Sequence, residues 1–235
     1  MTSHPSPAPL PFGAKIDDDG IWAQLLTRVP GAPTRRPALF LDRDGVLVEE
    51  VHYLHKVSDM RVMPGAVDAI RAANARGVPV VVVTNQAGIG RGTYGWAEFI
   101  DVQDAMLDAL ADAGGFVNAV FACPHHADGV APYNVPDHPG RKPNPGMLLA
   151  AAEIMPIDLS GSWIIGDRAG DIAAAKRAGC AGAVHVACGH GSDAGERMKA
   201  QSYAGAAFTV LAAGTIMDAY SQIPLLTTPT SEPAT

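Results

Sequence analysis

Residues 38–48 read ALFLDRDGVLV, an apolar run that stops abruptly at Asp42-x-Asp44-Gly45. A short, uninterrupted apolar stretch bounded by a turn signal is the pattern of a strand buried on both faces. Such a strand delivers two carboxylates, two residues apart, into a glycine turn. Burial penalises a charged carboxylate, so the arrangement is costly unless something cationic meets the pair.

The same pattern recurs along the chain. Strands are predicted at 38–42, 78–84, 117–122, 162–166, 183–187 and 207–210, and helices at 64–76, 95–113, 145–155, 169–179 and 211–220. Pro64-Gly65 and Asn144-Pro145 open two of these helices, and Gly77, Gly114 and Gly179 close three. Val/Ile-rich strands alternating with helices predict an α/β fold with a parallel sheet covered on both faces. Ligands of such sheets sit at the carboxyl ends of the strands. Those ends carry Asp42-Arg43-Asp44, Thr84-Asn85-Gln86, Cys123-Pro124-His125-His126 and Gly166-Asp167-Arg168, so polar chemistry converges on one rim.

A divalent metal and a phosphate ester together would offset the cost of that rim. One carboxylate can attack phosphorus while the other handles the proton. Singly, each residue has a plainer reading: Asp42 as a turn residue, Thr84 as a strand residue, Lys142 as a solvated lysine, Asp167 as a helix cap. Their order is what argues for chemistry. Asp42-x-Asp44-Gly45, a strand ending in Thr84, Arg141-Lys142-Pro143 and Gly166-Asp167-x-x-x-Asp171 follow one another along the chain.

This set resembles the haloacid dehalogenase (HAD) superfamily of aspartyl-phosphate phosphotransferases. FLDRDGV, VVVTNQAGIGRG, CPHH, RKPNPGMLLAA and IGDRAGDI are similar to the branch that removes the 7-phosphate of D-glycero-D-manno-heptose 1,7-bisphosphate, with histidinol-phosphate phosphatases as its nearest relatives. The likeness spans about residues 38–210. It implies a three-layer, Rossmann-like HAD core. The short spacings from Asp44 to Thr84 and from Thr84 to Lys142 leave no room for a cap domain, so loops 48–60, 86–95 and 123–140 would set specificity.

The resemblance also implies roles. Asp42 would be the nucleophile and Asp44 the general acid/base. The Asp42 carboxylate, the Asp44 carbonyl and Asp167 would hold Mg2+, with Asp171 behind them. Thr84 and Lys142 would steady the transferring phosphoryl group. Substrate contacts fall on Glu50, Val51, His52, Tyr53, Asn85, Gln86, Ala87 and Arg141, with Arg168 and Arg91 as further anion contacts.

The branch usually carries a zinc loop, Cys-x-His followed by Cys-x-Cys. Here Cys123 and His125 are kept, but His138 and Gly140 stand at the second pair. A degenerate zinc site would use Cys123, His125 and His138, with His126 or Asp137 as a fourth ligand. A metal-free loop stiffened by Pro132, Pro136 and Pro139 is the favoured expectation. Cys180, Cys188, His185 and His190 cluster near the fifth strand; the cysteines read as core packing and His190 as a solvated loop residue.

The chain has 235 residues, enough for one α/β domain with its own core. The domain is expected over 38–223. Residues 1–37 hold seven prolines and read as an extended arm. Ile21-Trp22 and Leu25-Leu26 form an amphipathic segment expected to make a helical turn or two. Residues 224–235 read as a frayed tail. A formal net charge of −7 disfavours nucleic acid as a partner, including a polynucleotide 3′-phosphatase role. Three cysteines make a poor disulfide framework. No secretory pattern or spanning apolar segment is visible, and a cytoplasmic monomer or small homo-oligomer is expected.

The combined expectation is a Mg2+-dependent phosphomonoesterase acting on a small sugar phosphate, best matched by the heptose 7-phosphate. Histidinol phosphate or another small phosphorylated metabolite is the alternative substrate, although Arg141, Arg168 and Arg91 suit an anionic ligand better than the cationic histidinol phosphate. A non-catalytic binding descendant would have lost at least one of the catalytic groups.

Overall fold

A computed structural model describes residues 10–26 and 34–227. Its centre is one eight-stranded sheet in the order β1-β2-β5-β4-β3-β6-β7-β8. The strands are β1 (Ala14–Ile16), β2 (Trp22–Leu25), β3 (Leu39–Leu41), β4 (Val80–Asn85), β5 (Ala119–Cys123), β6 (Trp163–Gly166), β7 (Gly182–Val186) and β8 (Thr209–Ala213). The six strands β3 to β8 are mutually parallel, and β1 and β2 join antiparallel at the β5 edge.

The sheet separates two apolar layers by simple alternation. Leu39 and Leu41 of β3, with Val80 and Val82 of β4, face one side. There they meet Ile70 of α1 (Ala66–Asn74) and Phe99, Val102 and Met106 of α3 (Trp96–Asp112). Phe40, Val81, Val83 and Ile164 face the other side. They meet Met147 and Leu148 of α4 (Gly146–Ile154) and Ile172 of α5 (Ala169–Ala178). The remaining helices are the single turn α2 (Ala87–Gly90), α6 (Ala194–Gln201), α7 (Ile216–Tyr220) and the single turn α8 (Pro224–Thr227). Between β3 and β4 stand only a loop, a 3-10 turn and α1, the capless arrangement expected from the spacing.

Three expectations need correction. The segment around Ile21–Leu25 is a strand, not a helical turn. The carboxylate of Asp17 accepts the N–H groups of Asp19 and Ile21 and closes a turn that sends β2 back along β1. The open backbone edge of β5 then takes β2 as its partner, and Trp22 and Ala23 are buried between layers. Residues 14–25 are therefore part of the sheet rather than of an extended arm; residues 1–9 and 27–33 lie outside the described residues. Strand β8 runs to Ala213, where a helix was expected from 211, because it pairs with β7 along its length. The helix begins only after Thr215, whose hydroxyl caps it by accepting the Asp218 N–H. At the C-terminus, Leu226 of α8 is buried in the core, so 224–227 is not frayed; residues 228–235 lie outside the described residues.

Candidate active site

The turn after β3 is tight because the Arg43 carbonyl accepts the N–H groups of both Leu47 and Val48, while Gly45 donates to the Val48 carbonyl. Gly45 has φ +80°, and a Cβ there would lie 2.5 Å from Asp167 Oδ2. Gly189, after β7, is similar, with φ +50° and 2.6 Å to the same oxygen. Two glycine turns thus close around the Asp167 carboxylate, which a side chain at either position would prevent.

Asp42, Asp167 and Asp171 are all buried, and each offers an oxygen within 4.8 Å of the others. Lys142 is the cation among them. Its ammonium lies 2.9 Å from Asp42 Oδ1 and 2.6 Å from Asp171 Oδ1, and donates to the Val83 carbonyl at 2.7 Å. All three ammonium protons are therefore used. The second Asp171 oxygen accepts the Arg168 N–H at 3.0 Å. Asp167 Oδ2 accepts the His190 N–H at 2.8 Å, and Asp167 Oδ1 is buried without a partner. Burial, then the Asp171 charge, pushes the Asp42 carboxyl up to about 7. Burial, then the Asp42 charge, pushes Asp167 up to about 9. Three buried carboxyls, one lysine and the orphaned Oδ1 of Asp167 suit a hard, oxygen-seeking cation.

Asp44 points into the pocket beside this cluster and is gripped from behind. The Arg43 guanidinium reaches it through Nε and, at 2.9 Å, through Nη2; Gln86 Nε2 donates at 3.0 Å and the Thr84 hydroxyl lies 3.4 Å away. Arg43 is itself buried, with its guanidinium over the Phe99 ring and Nη2 on Gln86. The sequence reading missed Arg43. A charge between two acids at the end of an apolar strand is nonetheless a signal, because a buried arginine demands a partner.

The pocket over these groups has a volume of about 450 Å3. Of the expected contacts, Glu50, His52, Tyr53, Asn85, Gln86, Ala87, Arg91, Arg141 and Arg168 line it. Val51 does not; it is half-buried and packs against the apolar core instead. Asn85 clamps the backbone of Lys142, donating to its carbonyl and accepting its N–H. Arg91 donates to the Tyr53 hydroxyl and pairs with Asp128. Burial, and then the positive charges of Arg168 and Arg91, hold Arg141 below its usual value, whereas the Cys123 thiol opposes this. Guanidiniums that repel one another across an open pocket invite an anion. His190, Glu196 and Lys199 also line the pocket and were not anticipated. Glu196 additionally caps α5, its carboxylate accepting the Ala169 N–H at 2.6 Å.

Cys123, His125 and His138 are not arranged as a zinc ligand set. The two imidazoles stack face to face, 3.8 Å apart and 4° from parallel, so their in-plane lone pairs do not converge on one ion. His138 Nδ1 accepts the Gly140 N–H, and burial pushes the Cys123 thiol up to about 12. Among the described residues, the group able to hold a metal is the aspartate trio.

Comparison with known proteins agrees with this geometry. A haloacid dehalogenase-like hydrolase model matches residues 39–95, and a second HAD-hydrolase-like model matches residues 140–210. The D-glycero-beta-D-manno-heptose-1,7-bisphosphate 7-phosphatase of Mesorhizobium japonicum is 45% identical over 168 residues, covering 71% of this chain and 76% of that protein. The chain belongs to the HAD hydrolases, in their heptose-bisphosphate phosphatase branch. The enzyme of that name from Escherichia coli K12 is 38% identical over 142 residues, covering 60% of this chain and 74% of its own. Two solved structures share this HAD fold. A putative HAD-like phosphatase from Mesorhizobium loti has TM-score 0.69 at 42% identity, covering 77% of this chain and 83% of that one. The D,D-heptose 1,7-bisphosphate phosphatase of B. bronchiseptica, complexed with magnesium and phosphate, has TM-score 0.66 at 31% identity, covering 79% and 97%. Membership of this branch makes the protein a phosphatase, a phosphoric monoester hydrolase.

Proposed function

We propose that this HAD phosphatase removes the 7-phosphate of D-glycero-D-manno-heptose 1,7-bisphosphate with the help of Mg2+. The observation that carries the reading is the pairing, within one pocket, of a buried carboxylate cluster and the Arg91, Arg141 and Arg168 guanidiniums. The first suits phosphoryl transfer and the second suits a substrate with another anionic group. The relatives at 45% and 38% identity bear that substrate in their names.

Mg2+ would be held by Asp42, Asp167 and the Asp44 carbonyl, and would neutralise charge on the phosphoryl oxygens. In the first step an Asp42 oxygen attacks phosphorus, the bond from phosphorus to the sugar oxygen breaks, and Asp44 gives its proton to that oxygen. Asp44 then takes a proton from water, whose oxygen attacks phosphorus and frees Asp42 and inorganic phosphate. Arg43 and Gln86 hold Asp44 in place for both transfers. Lys142 holds Asp42 and meets charge on the phosphoryl group. A cytoplasmic setting is supported by the free thiols of Cys123, Cys180 and Cys188; among the described residues no helix is long and apolar enough to cross a membrane.

The test is a comparison of kcat/KM on heptose 1,7-bisphosphate and histidinol phosphate with Mg2+ present. Preferential release of one phosphate from the heptose, leaving the 1-phosphate, is expected. Faster turnover of histidinol phosphate would overturn the substrate assignment.

The metal makes a separate prediction. Without a metal, burial pushes the carboxyls of Asp42 and Asp167 up from the 3.8 of an ordinary aspartate, to about 7 and about 9. A raised carboxyl contributes stability below the unfolded value and loses it as pH climbs through the folded one. Chelated protein is therefore expected to weaken between about pH 4 and pH 9 at these positions. Mg2+ should then raise Tm by roughly 5 °C more at pH 9 than at pH 6. Thermal scans with EDTA and with Mg2+ measure this; an equal gain at both pH values would refute a cation held by these carboxylates.

A further inference from the structure

A chain of contacts runs from the β1–β2 hairpin to Arg141 at the pocket wall. This hairpin lies against β5, and β5 runs directly into the loop that carries Arg141. His125 Nε2 sits 2.6 Å from the carbonyl oxygen of Asp19, in the hairpin turn. A carbonyl only accepts, so this nitrogen carries the proton. Ile21 packs on Gly140 so closely that a Cβ at that glycine would lie 2.8 Å from the Ile21 Cδ1. The His138 ring stacks on His125, and the His138 carbonyl accepts the Arg141 N–H at 2.9 Å.

At the other end of this chain of contacts is Arg141, which lines the pocket. The Arg141 guanidinium donates to the His125 carbonyl at 2.8 Å. His125 therefore holds the hairpin with its ring and Arg141 with its backbone. Lys142, one residue on, is anchored differently, by Asn85 of β4 and by the Val83 carbonyl. The two neighbouring cations thus have separate supports.

We propose that the N-terminal hairpin is a positioning element for Arg141, acting through His125, and that it sets substrate affinity without touching the chemistry at Lys142. The inference rests on the reading of Arg141 as a substrate-binding residue. His125 is a positioning residue here and contacts no substrate.

The experiment uses the full-length enzyme with Mg2+ and heptose 1,7-bisphosphate. His125→Ala is expected to raise KM about tenfold while kcat stays within about twofold. His125→Gln retains a donor near the ring Nε2 position and is expected to keep KM within about twofold of the parent. In an Arg141→Ala background, His125→Ala should add almost nothing, because both changes act on one contact. Losses that multiply in that background, or an equal loss in kcat, would overturn the proposal. Hydrogen exchange on the substrate-free chain decides the coupling independently. His125→Ala should speed exchange at residues 138–141 and leave 80–85 unchanged; a uniform change, or none, would refute it. A parent enzyme inactive on the bisphosphate would sink the substrate assignment, and the exchange result would still judge the hairpin.

Discussion

Asp42→Asn is expected to lower phosphate release by more than about 10^4-fold, because an amide oxygen neither attacks phosphorus nor forms a hydrolysable acyl phosphate. The substitution is nearly isosteric, so the turn after β3 and the Lys142 position should persist. It also removes one negative charge from a cluster where burial and Asp171 already push the Asp42 carboxyl up to about 7. At pH 8 the metal-free variant should therefore melt no lower than the parent. Dead enzyme with an undiminished Tm separates a lost nucleophile from a lost fold. Retention of more than about 1% of the parent kcat would remove Asp42 from the role of nucleophile.

The second large effect is expected at Lys142, where Lys142→Met keeps much of the volume and discards the charge. Asp42 and Asp171 lose their shared cation, and the Val83 carbonyl loses its donor. Stripping one partner from a buried ion pair costs about 3–5 kcal/mol. That cost applies while the carboxyls are ionised, so the variant should be weakest in EDTA near pH 8. It should recover toward pH 5, as Asp42 and Asp167 take up protons, and in part with Mg2+. Turnover should fall about 10^2- to 10^3-fold, since a charge facing the transferring phosphoryl group is gone. Denaturant unfolding with and without Mg2+, beside phosphate-release assays, checks both effects. Unchanged stability in EDTA at pH 8 would show that Lys142 is not the counter-charge for the cluster.

Much of the site was legible because its spacing is local. Asp42-x-Asp44 is a strand end running into a turn. Asp167 lies just before the Arg168 cap of α5 and Asp171 in its first turn, so a short local spacing places both at the N-terminal end of that helix. Thr84 closes an unbroken valine run. Other features depended on residues distant in sequence. Arg43 stands beside its partner Asp44 in the chain, but nothing local shows that its guanidinium rests on Phe99 and reaches Gln86. His190 is exposed, as read, and its backbone N–H is in addition donated to Asp167. Val51, grouped with its neighbours as a contact, faces the core because alternate residues of an extended segment point opposite ways.

The zinc question shows the same division. His125 and His138 come together in space, yet their rings stack instead of turning their lone pairs toward one ion. The hairpin at 14–25 was misread for a related reason. Its short amphipathic pattern suits a helical turn or a strand equally well, and the open edge of β5 selected the strand.

The chain's own order of residues determined the alternation of strands and helices, the parallel sheet, the rim at which the acids gather and the absence of an inserted cap. Each of these follows from hydrophobic period and turn chemistry, which act over a few residues. Tertiary structure alone decided which strand closed the β5 edge, which cation met which carboxylate, and that the histidines of the 123–140 loop stack instead of converging. Those outcomes depend on edges, charges and ring planes brought together by folding between groups distant in the chain, as in the ion pair of Lys142 with Asp42.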